Sequence, residues 1–151
     1  MAEVKTIKFQ IVTPERVLFE EDILQVSIST TSGEITVLPG HIPLVSVLQP
    51  GVIEVKLPGD SLEIMSVSGG FVEVMRDKVV VLADTAERAE ELDEKRIKEA
   101  YDRAEELKKE TGQDIEVDTV ALKAQIDKES ARFRALRRWR RLKGDGFDQK
   151  N

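Results

Sequence analysis

The chain has no cysteine among its 151 residues. Disulfides, thiolate metal sites and cysteine nucleophiles are therefore excluded. Histidine occurs once, at His41, which rules out a histidine-rich zinc site and leaves no histidine-based nucleophile–base pair to assemble. Aromatic residues make up only 5%, so a core built on rings is thin. No apolar run approaches the roughly 18 residues that a membrane-spanning helix requires. A phosphate loop of the GxxxxGK form is also missing. Acidic residues outnumber basic ones, for a net charge of −6, which argues against a general nucleic-acid binder. These absences point away from an enzyme, towards a cytosolic soluble chain with one core domain and an appendage. The N-terminus enters a strand pattern at Ile7, Phe9 and Ile11, so no signal or transit segment is expected.

The residues present divide into two halves near Ala83. Before it, short runs alternate between apolar and polar at residues 5–12, 23–29, 34–38, 44–48, 52–57, 61–67, 71–75 and 78–83. Turn signals separate them: Thr13-Pro14, Ser32-Gly33, Pro39-Gly40, Pro50-Gly51, Pro58-Gly59, Gly69-Gly70 and Arg76-Asp77. Proline presets φ and glycine accepts positive φ, so Pro39-Gly40 and Pro50-Gly51 read as the firmest turns. Short strands at this spacing predict a β-sandwich or barrel. Val79 to Leu82 is apolar without alternation, which predicts a strand buried on both faces.

After Asp84 there is no proline. Asp84 reads as an N-cap with Glu87 completing a capping-box-like pair. The first helix is expected to run to about Glu110, with Thr111-Gly112 as its stop. A connector at 114–118 and a cap at Asp118 or Thr119 lead to a second helix ending near Leu142. The small-residue faces are Ala86, Ala89, Ile97, Ala100, Ala104 and Leu107 on one helix, and Val117, Ala121, Ala124, Lys128, Ala131 and Ala135 on the other. Such thin stripes bury little area, so the hairpin should associate weakly and conditionally. The predicted fold is α+β: a β-sandwich over 1–85, an antiparallel two-helix hairpin over 86–143 and a disordered tail over 144–151.

Three segments carry a family resemblance: LPGHIPLVSVLQPG at 38–51, SGGFVEV at 68–74 and VVVLADTAERAEELD at 79–93. In order and spacing they resemble the epsilon subunit of bacterial F-type ATP synthase, which is called delta in mitochondria. The resemblance covers nearly the whole chain and weakens after Thr111. It implies a non-catalytic rotor subunit of the central stalk that couples rotation of gamma and the c-ring to ATP synthesis. By the same resemblance, the C-terminal helices inhibit ATP hydrolysis. The partners it implies are gamma, the c-ring and the alpha/beta catalytic head, with no nucleic acid and no transmembrane segment. The location it implies is peripheral, on the cytoplasmic side of a bacterial inner membrane. No cofactor is required and no metal is expected. A passive hairpin that neither binds ATP nor inhibits is the alternative.

The resemblance also assigns residues. It puts Glu34 against the c-ring and His41 near gamma; a surface carboxylate and a polar turn residue are the plainer reading. LDEKRI at 92–97 is similar to a family ATP-binding motif, with Ile97 standing where alanine is expected and crowding the nucleotide. Leu92, Asp93, Arg96 and Arg103, joined by Glu87 and Arg132, would hold ATP as a regulatory ligand. Asp93, Arg96 and Arg103 span an arc of roughly 80° on a helix at 100° per residue. Guanidiniums grip phosphates bidentately, but the same residues also suit an exposed i,i+3 ion pair. RFRALRRWRRLK at 132–143 is a dense basic run in an acidic chain, and such runs signal a partner. Nucleic acid or anionic lipid would suit it. The resemblance implies instead that Arg132, Arg134, Arg137, Arg138, Arg140 and Arg141 meet an acidic segment of the beta subunit.

Overall fold

A computed structural model describes residues 3–110 and 119–144. The expected helix stop at 111–112, the connector at 114–118, Val117 and the tail beyond Gly144 lie outside the described residues. Nine strands precede two helices: β1 Ile7–Val12, β2 Val17–Ile23, β3 Gln25–Thr30, β4 Gly33–Val37, β5 Leu44–Lys56, β6 Leu62–Val67, β7 Gly70–Val74, β8 Lys78–Ala83, β9 Ala86–Arg88, α1 Glu94–Glu110 and α2 Thr119–Lys143. A 3-10 turn, Ala89–Glu91, follows β9.

The strand order is β2-β1-β8-β7-β5-β3-β4, with β6 on β5 and β9 on β6. Pairing is antiparallel except between β1 and β8, which run parallel. The N-terminal half of β5 pairs with β7, and its C-terminal half pairs with β6. The ladder thereby folds into two layers around one core. Phe9, Ile11, Val72, Val79 and Val81 come from one layer, Val26, Ile28, Ile53, Val55 and Met65 from the other, all within one buried cluster. The predicted α+β sandwich with a helical hairpin is the observed architecture.

Four local expectations are corrected. Pro50-Gly51 is no turn: both residues lie inside β5. The strand bends there and changes partner, and its register with β3 shifts between Ile28 and Thr30. A Cβ on Gly51 would sit 3.0 Å from Ser29 Cβ and Oγ, so glycine serves close strand approach instead of positive φ. Second, β2 was not foreseen, because Glu20, Glu21 and Asp22 mask its alternation. It is an edge strand that buries only Phe19 and Ile23.

Third, β8 is not buried on both faces, since Leu82 is exposed. Fourth, the first helix begins nine residues later than a cap at Asp84 implied, at Glu94. The Asp84 N–H donates to Gly69 O, and residues 86–88 pair with β6 instead. Asp93 supplies the cap, its Oδ1 accepting from the N–H groups of Lys95 (3.0 Å) and Arg96 (3.4 Å). Ala89 is fully buried beneath α2 with Ile64 and Ala135, and this packing overrides the helical composition of AERAEEL.

Helices α1 and α2 run antiparallel: Arg140 reaches Glu94 while Glu129 and Ser130 lie across from Tyr101 and Asp102. Helix α2 rests on β5 and β6. The apolar part of that contact is small: Ile64, Ala89 and Ala135, flanked by Val52, Leu92 and Trp139. Ion pairs supply the rest.

Candidate functional site

The first helix places the nucleotide candidates around one cleft. Glu87, Leu92, Asp93, Arg96, Arg103 and Arg132 all line a space of about 530 Å³, together with Glu91, Ile97, Glu99 and Ala100. Residues far apart in sequence thus converge, because β9 and the 3-10 turn carry Glu87 and Leu92 beneath the start of α1 while α2 brings Arg132 over them. Ile97 is buried between the helices and forms part of the wall. Arg96 is 86% exposed and 3.9 Å from Asp93. Its i,i+3 pair is of the weak surface kind.

Arg132 is differently placed. Its Nε and Nη2 donate to both Glu87 oxygens at 2.5 and 2.6 Å, and its Nη1 donates to Glu129 Oε1 at 2.9 Å. Burial works against the cation, but the Glu87 and Glu129 carboxylates outweigh it and push the Arg132 pKa above the ordinary guanidinium value. Glu129 is buried, and its Oε2 has no hydrogen-bond partner. Four carboxylates (Glu87, Glu91, Asp93, Glu99) face three guanidiniums (Arg96, Arg103, Arg132) around this cleft. The net charge of −1 disfavours a polyanion, and Arg132 is already committed to carboxylates.

The basic run of α2 is divided: Arg132, Arg138 and Arg140 turn inward, while Arg134, Arg137, Arg141 and Lys143 are exposed. Arg138 donates to Glu54 at 3.0 Å and Arg140 to Glu94 at 2.6 Å. Arg134 donates to Pro50 O at 3.3 Å. Three of the six arginines expected to meet an acidic partner are therefore held by carboxylates of the same chain: Glu54, Glu87 and Glu94. Arg137 and Arg141 remain exposed.

Glu34 is exposed on β4. His41 follows a turn closed by its N–H to Leu38 O, and its Nδ1 lies 2.6 Å from Ile42 O. The structure does not bring Glu34 or His41 to the nucleotide cleft.

One surface was missed by sequence reasoning. Val47 pairs with Phe71, and Phe71 with Leu82, across three neighbouring strands. All three are outward-facing and exposed, as are Val45 and Ile42 beside them. This apolar row covers the outer face of the layer opposite α2, and contiguous patches of this kind mark interaction sites. Its signal lies in the apolar runs IPLVSVL and VVVL, the second of which also suits a strand buried on both faces.

A sandwich with an apolar outer face joined to a basic helical hairpin is the plan of an accessory subunit that works by binding partners. Residues 6–89 match the family described as ATP synthase, Delta/Epsilon chain, beta-sandwich domain. The chain is 50% identical over 101 residues to the ATP synthase epsilon chain of Anoxybacillus flavithermus, covering 67% of this chain and 75% of that one. It is 37% identical over 134 residues to the epsilon chain of Dichelobacter nodosus, covering 86% and 94%. A chain in the cryo-EM structure of the Euglena gracilis mitochondrial ATP synthase (OSCP/F1/c-ring, rotational state 1) superposes with a TM-score of 0.75. It is 25% identical, with 89% of this chain and 84% of that chain covered. A chain of the Tetrahymena thermophila mitochondrial ATP synthase central stalk and c-ring structure shares the fold, at TM-score 0.58 and 15% identity, covering 89% and 99%. The chain belongs to the ATP synthase epsilon-chain family.

Proposed function

We propose that the chain is a central-stalk rotor subunit whose sandwich docks through the Val47–Phe71–Leu82 face onto gamma. The observation that carries this reading is the in-register apolar row, exposed although three neighbouring strands share it. Burying such a row on a partner removes apolar area from water at about 25 cal/mol per Å². The end of the sandwich that carries Glu34 on β4 and His41 in the turn after it faces the c-ring and gamma. The subunit is peripheral, on the cytoplasmic side of a bacterial inner membrane; no described helix is long and apolar enough to cross one.

The hairpin is the regulatory half. With α2 packed down, Glu54, Glu87 and Glu94 hold Arg138, Arg132 and Arg140. An acidic segment of the catalytic beta subunit competes for the same arginines once α2 lifts, and that contact inhibits ATP hydrolysis. Regulatory ATP in the Asp93–Arg103 cleft would favour the packed state. The net charge of −1 around that cleft makes its affinity low unless a cation accompanies the nucleotide.

The test is ATP hydrolysis by a catalytic head reconstituted with gamma, comparing the full chain with one ending at Leu92. Faster hydrolysis with the shortened chain, at equal binding, supports the inhibitory hairpin. Equal rates leave a passive hairpin, and loss of binding on Phe71→Glu tests the docking face.

A further inference from the structure

Helix α2 rests on β5 and β6 and borders a second cleft, of about 620 Å³, whose far side reaches β3. One wall is helical, with Arg134, Arg137, Arg138 and Arg141 at spacings of three, four and seven that share a helix face. The other wall is sheet, with Ser27 and Ser29 on β3 and Glu54 on β5, and Glu34 joins the lining from β4. Four guanidiniums against two carboxylates give this cleft a net charge of +2, opposite in sign to the nucleotide candidate.

The surplus sits on particular groups. Arg138 and Glu54 neutralise one another. Arg134 spends one donor on Pro50 O. Arg137 lies 5.8 Å from the centre of the Phe133 ring, which holds its guanidinium in place. Neither Arg137 nor Arg141 meets a carboxylate among the described residues. Like charges crowded on one helix repel, and an anion between them removes that repulsion while taking bidentate hydrogen bonds. Ser29 adds a hydroxyl from across the gap, and Ser27 adds one that it shares with Thr36 Oγ1 at 3.0 Å.

We propose that this cleft binds a phosphate-class oxyanion carrying two or more charges, gripped by Arg137 and Arg141 and capped by Ser27 and Ser29. Its two walls belong to different elements, so the complete site exists only with α2 packed on the sheet. The anion therefore acts as a clamp. At ten times its dissociation constant it raises the packed population about elevenfold over the unpacked one. The proposal does not rest on the rotor reading, since binding is measured on the isolated full chain.

The experiment is calorimetric titration of the full chain with sodium pyrophosphate at constant ionic strength, with Trp139 emission followed in parallel. The expected result is a saturable site that weakens at least tenfold in Arg137→Ala/Arg141→Ala and is unchanged in Lys8→Ala/Lys78→Ala, which removes two cations on β1 and β8 away from both clefts. Arg137→Gln/Arg141→Gln repeats the test with less change of shape, and circular dichroism checks that each variant folds. Phosphatidylglycerol vesicles form a second arm. Saturation by pyrophosphate assigns a soluble anion; binding confined to vesicles and lost in the double variant assigns a lipid phosphate to the same groups. Response to neither, a response matched by sodium chloride, or equal losses in both variant pairs would overturn the site.

Discussion

Replacing Arg132 with methionine removes the guanidinium that, among the described residues, touches both Glu87 and the buried Glu129. Methionine retains much of the stem's volume, so the loss is electrostatic. Three charge-assisted hydrogen bonds disappear, and Glu129, with one oxygen already unpartnered, keeps none. Removing one member of a buried ion pair costs about 3–5 kcal/mol. Glu87 is about one-third exposed and recovers water, so about 3 kcal/mol against the packed position of α2 is the working figure, or roughly a hundredfold in that equilibrium. Trp139 is the sole tryptophan and packs at the edge of the Ile64–Ala89–Ala135 cluster. Its emission and acrylamide quenching therefore report on α2 alone. Red-shifted emission and stronger quenching are expected, while the sandwich keeps its own urea transition. Adding Glu129→Leu should restore most of the loss, because it removes the stranded carboxylate. Unchanged quenching in Arg132→Met, with a single transition moved by less than about 0.5 kcal/mol, would refute the reasoning.

Gly70→Ala should abolish soluble folding or lower stability by more than about 3 kcal/mol, since φ is +120° and the new Cβ would lie 1.9 Å from Leu82 O; thermal melts decide it. Phe71→Glu should change the isolated chain's stability by about 1 kcal/mol or less, because the ring is exposed, yet abolish capture of gamma in a pull-down. Glu91→Gln/Glu99→Gln changes the nucleotide cleft from −1 to +1 and should tighten any ATP response at least severalfold; no gain would argue that nucleotide does not bind there. Raising salt from 0.05 to about 0.5 M should increase Trp139 quenching, since the partly exposed Arg138–Glu54 and Arg140–Glu94 pairs are screened; indifference to salt would leave the apolar cluster as the holding force.

Alternation made most of the sandwich legible, because Phe9 and Ile11, or Ile53 and Val55, must face one core. It failed where another force governed the backbone. Pro50-Gly51 carries turn chemistry, but strand pairing keeps the segment extended, and β3 lies 3.0 Å from where a Cβ on Gly51 would sit. The acidic run of β2 hid an edge strand that needs only Phe19 and Ile23 for burial. In 84–93, helical composition lost to the burial of Ala89 and to capping at Asp93. The convergence of Glu87, Asp93, Arg103 and Arg132 followed from motif resemblance, whereas the carboxylates that occupy Arg132, Arg138 and Arg140 depend on where α2 lands. No local pattern encodes that position. The apolar outer face was visible in IPLVSVL and VVVL, but sequence alone cannot separate a surface awaiting a partner from a strand buried on both sides.

Strand β5 belongs to both layers and runs unbroken from Val45 on the outer apolar face to Glu54 beneath α2. Pro50 lends its carbonyl to Arg134 at the bend between them. A single covalent tie, without a slack loop, thus spans the molecule from its docking face to its helix seat. Under the proposed rotor role, a load on the apolar face would reach the helix seat along main-chain bonds, without passing through side-chain contacts.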